Sequence, residues 1–194
     1  MLHNARTEIN ADAVYRTGAS GYYHAGVFYK NGSTYRVYEQ TGDGPVEYNT
    51  MNEFINGNTY LGNYYRSTVD TSSERSSIIG TCADLHANDT ICYTWSDCLN
   101  PDPMLDVGSY ISSEEVKEIR CDGVVEYSYE WNNFTVWGRT SDGTEDTSPT
   151  HFDISDVDYY EEHNDLGKDD PWVELSPYVQ MGEAGTEWTK LNER

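Results

Sequence analysis

Basic side chains are what this chain has least of. Four lysines occur (Lys30, Lys117, Lys168, Lys190), and Lys plus Arg total 12 against 34 Asp plus Glu, a formal net charge of −22. A surface this anionic repels phosphates, which excludes nucleic acid and an anionic membrane surface as natural partners. Long apolar runs are also missing, so no membrane span is expected, and no secretory leader is visible at the start. Cysteine is sparse. Cys82, Cys92, Cys98 and Cys121 are too few for a disulfide scaffold and lack the paired CxxC spacing of a zinc ribbon. Cys92 and Cys98 can pair in an exported protein, but the sequence leaves that open.

What the chain does have is Tyr, Asn, Ser, Thr, Gly and Asp, a composition that leans toward an extracellular or cell-envelope protein. Met1 before LHNARTEIN reads like a start codon added to a trimmed mature chain, although a cytoplasmic protein would look the same. The length suits one domain over residues 1–194, with a core at about 20–138 and an acidic segment 139–194 packed onto it. Trp172, Leu175, Tyr178 and Trp188 supply apolar anchors for that segment.

The stretch YYHAGVFYKNGSTYRVYEQ holds the strongest local signal. Asn31-Gly32 between runs of aromatic and β-branched residues predicts a two-residue hairpin turn. With Lys30 facing Ser33, the pairing places His24 directly opposite Glu39, on one face of the ribbon. A carboxylate there fixes the imidazole tautomer, which supplies two members of a catalytic triad.

The nucleophile is expected in Ile119-Arg120-Cys121-Asp122-Gly123-Val124-Val125-Glu126-Tyr127. Val124, Val125, Ser128 and Trp131 have helical spacing, with Cys121 at the first turn. The helix N-terminus and Arg120 both favour a thiolate there, and the thiolate is the nucleophilic form. Ser112 and Glu115 predict a capping box and a short helix just before.

Elsewhere, residues before Tyr22 read as an irregular lead-in or an edge strand, and Pro45–Tyr48 as a short strand. Thr50 with Glu53 caps a short helix that stops at Asn56-Gly57. A longer amphipathic helix is predicted over Ser73–Ala87, with Cys82 as a small buried hydrophobe. Thr90–Ser96 reads as a buried strand carrying Cys92 and Trp95, and Phe134–Trp137 as a further strand. Tyr22, Tyr23 and Trp95 are candidate substrate-binding residues, and Tyr64 and Tyr65 are further aromatics able to line a groove.

HAGVFY, a turn, a second strand ending VYEQTGDG and a later helix opening CDGVVEY resemble the circularly permuted NlpC-type papain-like hydrolases. That group includes YiiX-like proteins and, more distantly, the lecithin:retinol acyltransferase group. The resemblance covers roughly residues 20–135. It implies an α+β, permuted papain-like fold, an antiparallel sheet packed against a helix bearing the cysteine at its N-terminus. It also implies Cys121 as nucleophile, His24 as general base and Glu39 as the third member.

The activity implied is that of a cysteine amidohydrolase or peptidase acting on a small peptide, glycopeptide or acyl-amide. Alternatives are a thiol acyltransferase and a non-catalytic binding or adhesion module on the same scaffold. No cofactor and no metal is called for. Glu47 is the rival third member, and His151 in THFDI would suit the unpermuted order. His86 reads as a helix C-terminal dipole partner. The acidic run Asp153, Asp158, Glu161, Glu162, Asp165, Asp169 and Asp170 lacks the spacing of a calcium loop and reads as a solvated face.

Overall fold

The computed structural model describes residues 10–18, 21–42, 44–95, 97–102, 110–134, 136, 176–182 and 188–190. His151 and the acidic run at 153–170 lie outside them. The frame is a six-stranded antiparallel sheet of β1 (Ala13–Thr17), β2 (Tyr23–Asn31), β3 (Thr34–Glu39), β4 (Glu47–Thr50), β5 (Tyr60–Arg66) and β9 (Trp188–Lys190). Its order is β4-β3-β2-β1-β5-β9. A smaller sheet has the order β6-β8-β7, made of β6 (Cys92–Tyr93), β7 (Leu99–Pro101) and β8 (Val116–Ile119). The helices are α1 (Met51–Ile55), α2 (Ser72–Ala87), α3 (Cys121–Glu130) and α4 (Pro177–Gly182).

Alternation in the strands divides the apolar residues between two faces. Ala13, Tyr15, Ala25, Val27 and Tyr38 join Ile78, Cys82 and Leu85 of α2 and Val124 and Val125 of α3 in the main core. Val14, Phe28 and Val37 face the other way, onto Phe54 of α1. The lead-in residues therefore do not form an edge. β1 is an interior strand between β2 and β5, and β5 itself was not anticipated from the sequence.

The local signals resolve unevenly. Thr50 and Glu53 form their reciprocal capping box, and Asn56 ends α1 in the left-handed region at φ 41°. A second box, Thr71 with Glu74, starts α2. Ser112 and Glu115 also contact each other, the Ser112 N–H donating to Glu115 Oε2 at 2.7 Å. They close a turn rather than a helix, and the chain runs straight on into β8. The strand expected at Thr90–Ser96 shrinks to Cys92–Tyr93, with Cys92 exposed and Trp95 77 % exposed. Phe134 and Val136, the described residues of the other expected strand, lie outside regular structure.

The hairpin register also differs from expectation. Asn31 pairs with Thr34 and Lys30 with Tyr35, so the turn residues are Gly32 and Ser33. Of these only Gly32 has positive φ, at 62°. That is the φ pattern of a type II′ turn, which demands glycine at its first central position alone. The pairing thus slips by two residues. An even slip leaves every side chain on its expected face.

The spacing of Val124, Val125, Ser128 and Trp131 predicts one buried stripe on helix α3, and all ten of its residues are buried. It packs against β2 on one side, α2 on another and α4 on a third. Its polar groups find partners there. Tyr127 donates to the Ile111 carbonyl at 2.8 Å, and Cys82 donates to Ser128 at 3.1 Å. The C-terminal segment is represented by α4, which contacts β2 and α3, and by β9, which extends the sheet at β5. Among the described residues no helix is long and apolar enough to cross a membrane.

Candidate functional site

The slip in register decides how His24 meets Glu39. Direct opposition is lost, because the observed register carries Glu39 to the place across from Gly26. Glycine solves the geometry. A Cβ at Gly26 would stand 2.5 Å from Val37 Cγ1, 2.8 Å from the Tyr38 carbonyl and 3.4 Å from Glu39 Cβ. With that space empty, the His24 ring spans the diagonal, and its Nε2 lies 2.6 Å from Glu39 Oε2. Glu39 is 1 % exposed and His24 12 %.

Glu39 is itself held by a residue that sequence reasoning missed. Asn49 Nδ2 donates to Glu39 Oε1 at 3.0 Å and also to Glu47 Oε2. Glu47 stands across from Glu39 in the β3–β4 pair. Two like charges directly opposed repel, and the Asn49 amide between them offsets that repulsion. The signal was available: Glu47 and Asn49 alternate onto one face of PVEYNT. Glu47, the rival third member, faces Glu39 and has no bond to His24.

Cys121 comes from the other side. The N-terminus of α3 reaches the end of β2 where His24 stands, and the two side chains line the same cleft, close enough for the sulfur to bear on the charge of the imidazole. With Nε2 engaged by Glu39, Nδ1 is the nitrogen left for sulfur. Burial pulls the His24 pKa down, but the Cys121 thiolate and Glu39 outweigh it and raise the value to about 9. Arg120 precedes the helix without a side-chain cap. Its guanidinium does not face the thiol as a free charge, because Asp122 binds it through two bonds of 2.7 and 2.9 Å.

The position of Cys121 depends on a close contact beneath it. The Arg120 N–H donates to the Cys98 carbonyl at 3.0 Å. A Cβ at Gly123 would fall 2.2 Å from that carbonyl oxygen. The other cysteines differ in kind: all four are free thiols, burial pushes Cys82 up to about 12, and burial also raises Cys98.

A cleft of about 570 Å³ opens over the pair, lined by His24, Cys121, Tyr22, Tyr23 and Trp95 among others. All the candidate substrate-binding aromatics therefore stand beside the candidate catalytic residues. Tyr22, 67 % exposed, and Trp95 lie edge to face at 6.4 Å, and Tyr23 packs on Tyr178 of α4 at 4.9 Å. Tyr64 and Tyr65 are not part of the lining. Tyr64 is buried against Tyr15 in the main core. His86 also lies elsewhere, its Nδ1 2.6 Å from the Val46 carbonyl. Arg16, which sequence reasoning passed over, lines the cleft as well.

No protein-family model matches the chain, and no curated protein does. Among solved structures, the fold is similar to that of the metalloprotein YiiX from Escherichia coli O157:H7. The TM-score is 0.51 at 13 % identity, over 95 % of this chain and 97 % of that one. At this identity the likeness concerns the fold alone, an α+β arrangement of the YiiX kind.

Proposed function

We propose that the chain is a cysteine hydrolase of the permuted papain-like kind, cleaving an amide bond through Cys121, His24 and Glu39. The observation that carries this reading is the joint placement of an imidazole, fixed by a 2.6 Å bond to a buried carboxylate, and a helix-start thiol in one open cleft. Proteins use that constellation for acyl transfer on unrelated folds. YiiX is described as a metalloprotein. Among the described residues no three His, Cys, Asp or Glu side chains gather as a metal-binding group.

In the proposed cycle His24 holds the thiol proton, and the Cys121 sulfur attacks the amide carbonyl carbon. The carbonyl oxygen takes the negative charge, with the Cys121 backbone N–H supplying part of the oxyanion hole. His24 then gives its proton to the leaving nitrogen as the C–N bond breaks, which leaves a thioester. Water adds to that thioester and passes a proton to His24. The C–S bond breaks, carboxylic acid leaves, and the thiol is restored. Glu39 holds the ring through both halves. The substrate class proposed is a small peptide, glycopeptide or acyl-amide, for which the cleft offers aromatic walls.

The test is the rate of iodoacetamide labelling at the Cys121 peptide as a function of pH, in wild type and in His24→Ala. We expect wild-type labelling to reach its plateau at lower pH, with a rate near neutrality about tenfold or more above that of the variant. Superimposable profiles would remove the thiol–imidazole pair and leave a binding module as the better reading.

A further inference from the structure

The described lining of the cleft contrasts in charge with the protein as a whole. The chain carries 34 Asp plus Glu, yet no carboxylate is among the described residues that line the cleft, while two arginines are. Arg120 is already bound by Asp122. Arg16 is not bound in this way. It stands directly across from His24 in the β1–β2 pair, half-buried, with its guanidinium over the Phe54 ring at 5.3 Å. Its Nη1 donates to the neighbouring Thr17 carbonyl at 3.2 Å, and its Nε is buried with no hydrogen-bond partner.

A half-buried cation costs free energy unless something neutralises it. In a chain with almost three acids for every base, a structural arginine would readily find a carboxylate. Burial lowers the pKa of Arg16, while Glu39 and Cys121 oppose that. Neither forms an ion pair with it among the described residues. The charge therefore faces the same space as the thiol. A single planar guanidinium stacked on an aromatic ring suits a singly charged, planar, two-oxygen anion.

We propose that Arg16 is the anchor for a carboxylate on the substrate, so that the cleft selects acyl compounds carrying a carboxylate close to the scissile carbonyl. The inference rests on the hydrolase reading above. It also offers a way for so acidic a protein to hold an acidic substrate: the attraction is local, inside a cleft whose described lining residues include no carboxylate, where screening is weakest.

Iodoacetate and iodoacetamide test this. They alkylate by the same displacement of iodide by the thiolate, and differ in a carboxylate against a neutral amide. Both rates are followed by mass spectrometry at the Cys121 and Cys92 peptides of the same sample, since Cys92 is an exposed thiol on the same anionic protein. The iodoacetate-to-iodoacetamide ratio should be about tenfold higher at Cys121 than at Cys92. Arg16→Gln should bring it down to the Cys92 value, with Arg16→Lys falling between.

A wild-type ratio equal to that at Cys92 overturns the anchor without recourse to any variant. So does a high ratio that Arg16→Gln leaves unmoved, which would mark Arg16 as a support for the thiolate only. Either result is independent of whether iodoacetamide labelling depends on His24. The anchor and the thiol–imidazole pair can thus fail separately.

Discussion

His24 and Glu126 both hold a proton more tightly in the folded chain than free in water, for opposite reasons. His24 does so against its own burial, because the Cys121 thiolate and Glu39 reward its positive charge and raise its pKa to about 9. Glu126, little more than one turn beyond Cys121 on α3, does so because burial and the neighbouring Glu130 penalise its negative charge. One region gathers opposite charges at the mouth of a cleft. The other stacks like charges in the interior, where Gln180 Nε2 donates to Glu126 Oε1 at 2.8 Å. The same helix thus begins beside an imidazole whose proton is held more tightly and, within, carries a carboxyl whose pKa is raised by burial. Burial alone does not decide whether a group ionises; the sign of its nearest neighbour does.

The largest expected effect comes from breaking the support both regions share. Gly123→Ala places a Cβ 2.2 Å from the Cys98 carbonyl oxygen and 2.8 Å from Ile119 Cγ1. Neither obstacle is the end of a flexible chain, so the first turn of α3 must move off the small sheet. Such overpacking should cost about 3 kcal/mol or more in denaturant unfolding. It should also slow iodoacetamide labelling at Cys121, because the thiol moves with the turn. A variant as stable as wild type would show that α3 is not pinned at Cys98, and the two regions would no longer have a common footing.

Much of the cleft was legible before the fold was known, and the reason is periodicity. His24 and Glu39 share a face in any register that differs by an even number of residues, so the two-residue error at the turn left the pair intact. Cys121 at a helix start was readable from the spacing of Val124, Val125 and Ser128. What stayed hidden depends on elements far away in sequence. No local pattern shows that α3 is surrounded, because β2, α2 and α4 come from three different stretches of the chain. Trp95 was read as strand core from its aromatic surroundings, and only the shortness of β6 leaves it on the cleft rim. Arg16 lies in a strand that was itself misread, so its place across from His24 could not be seen.

Gly26→Ala disturbs the cleft and spares the carboxyl pair. The new Cβ meets Val37 Cγ1 at 2.5 Å and the Tyr38 carbonyl at 2.8 Å, on the diagonal that His24 uses to reach Glu39. A loss of about 1–3 kcal/mol is expected, as for a methyl forced into a packed site. The more telling readout is labelling. If Glu39 orients His24 through that gap, the pH profile of Cys121 alkylation should move toward that of His24→Ala. A normal profile in the destabilised protein would mean that Glu39 contributes only to folding.

The smallest effect has the sharpest pH signature, and it comes from the interior. A carboxyl whose folded pKa is raised contributes stability that is fully present below its unfolded value, about 4.3, and lost as pH rises through the folded value. His24 follows the same rule in a higher window, from about 6.5 in the unfolded chain to about 9 in the folded one. Both regions therefore make the wild type less stable as pH rises. The groups facing Glu126 are Glu130 and Asp122 on its own helix, Tyr15 of β1, the Cys98 thiol and the Gln180 amide.

Glu126→Gln keeps a carbonyl to accept from Gln180 and gains an N–H to donate toward Glu130, while the titrating proton is gone. The variant should match the wild type near pH 4 and exceed it by about 1 kcal/mol at pH 8, with the fall in the His24 window unchanged. Thermal unfolding across that range separates the two. If Glu126→Gln flattened both windows, the cleft and the interior pair would be one coupled titration and the contrast between them would be lost.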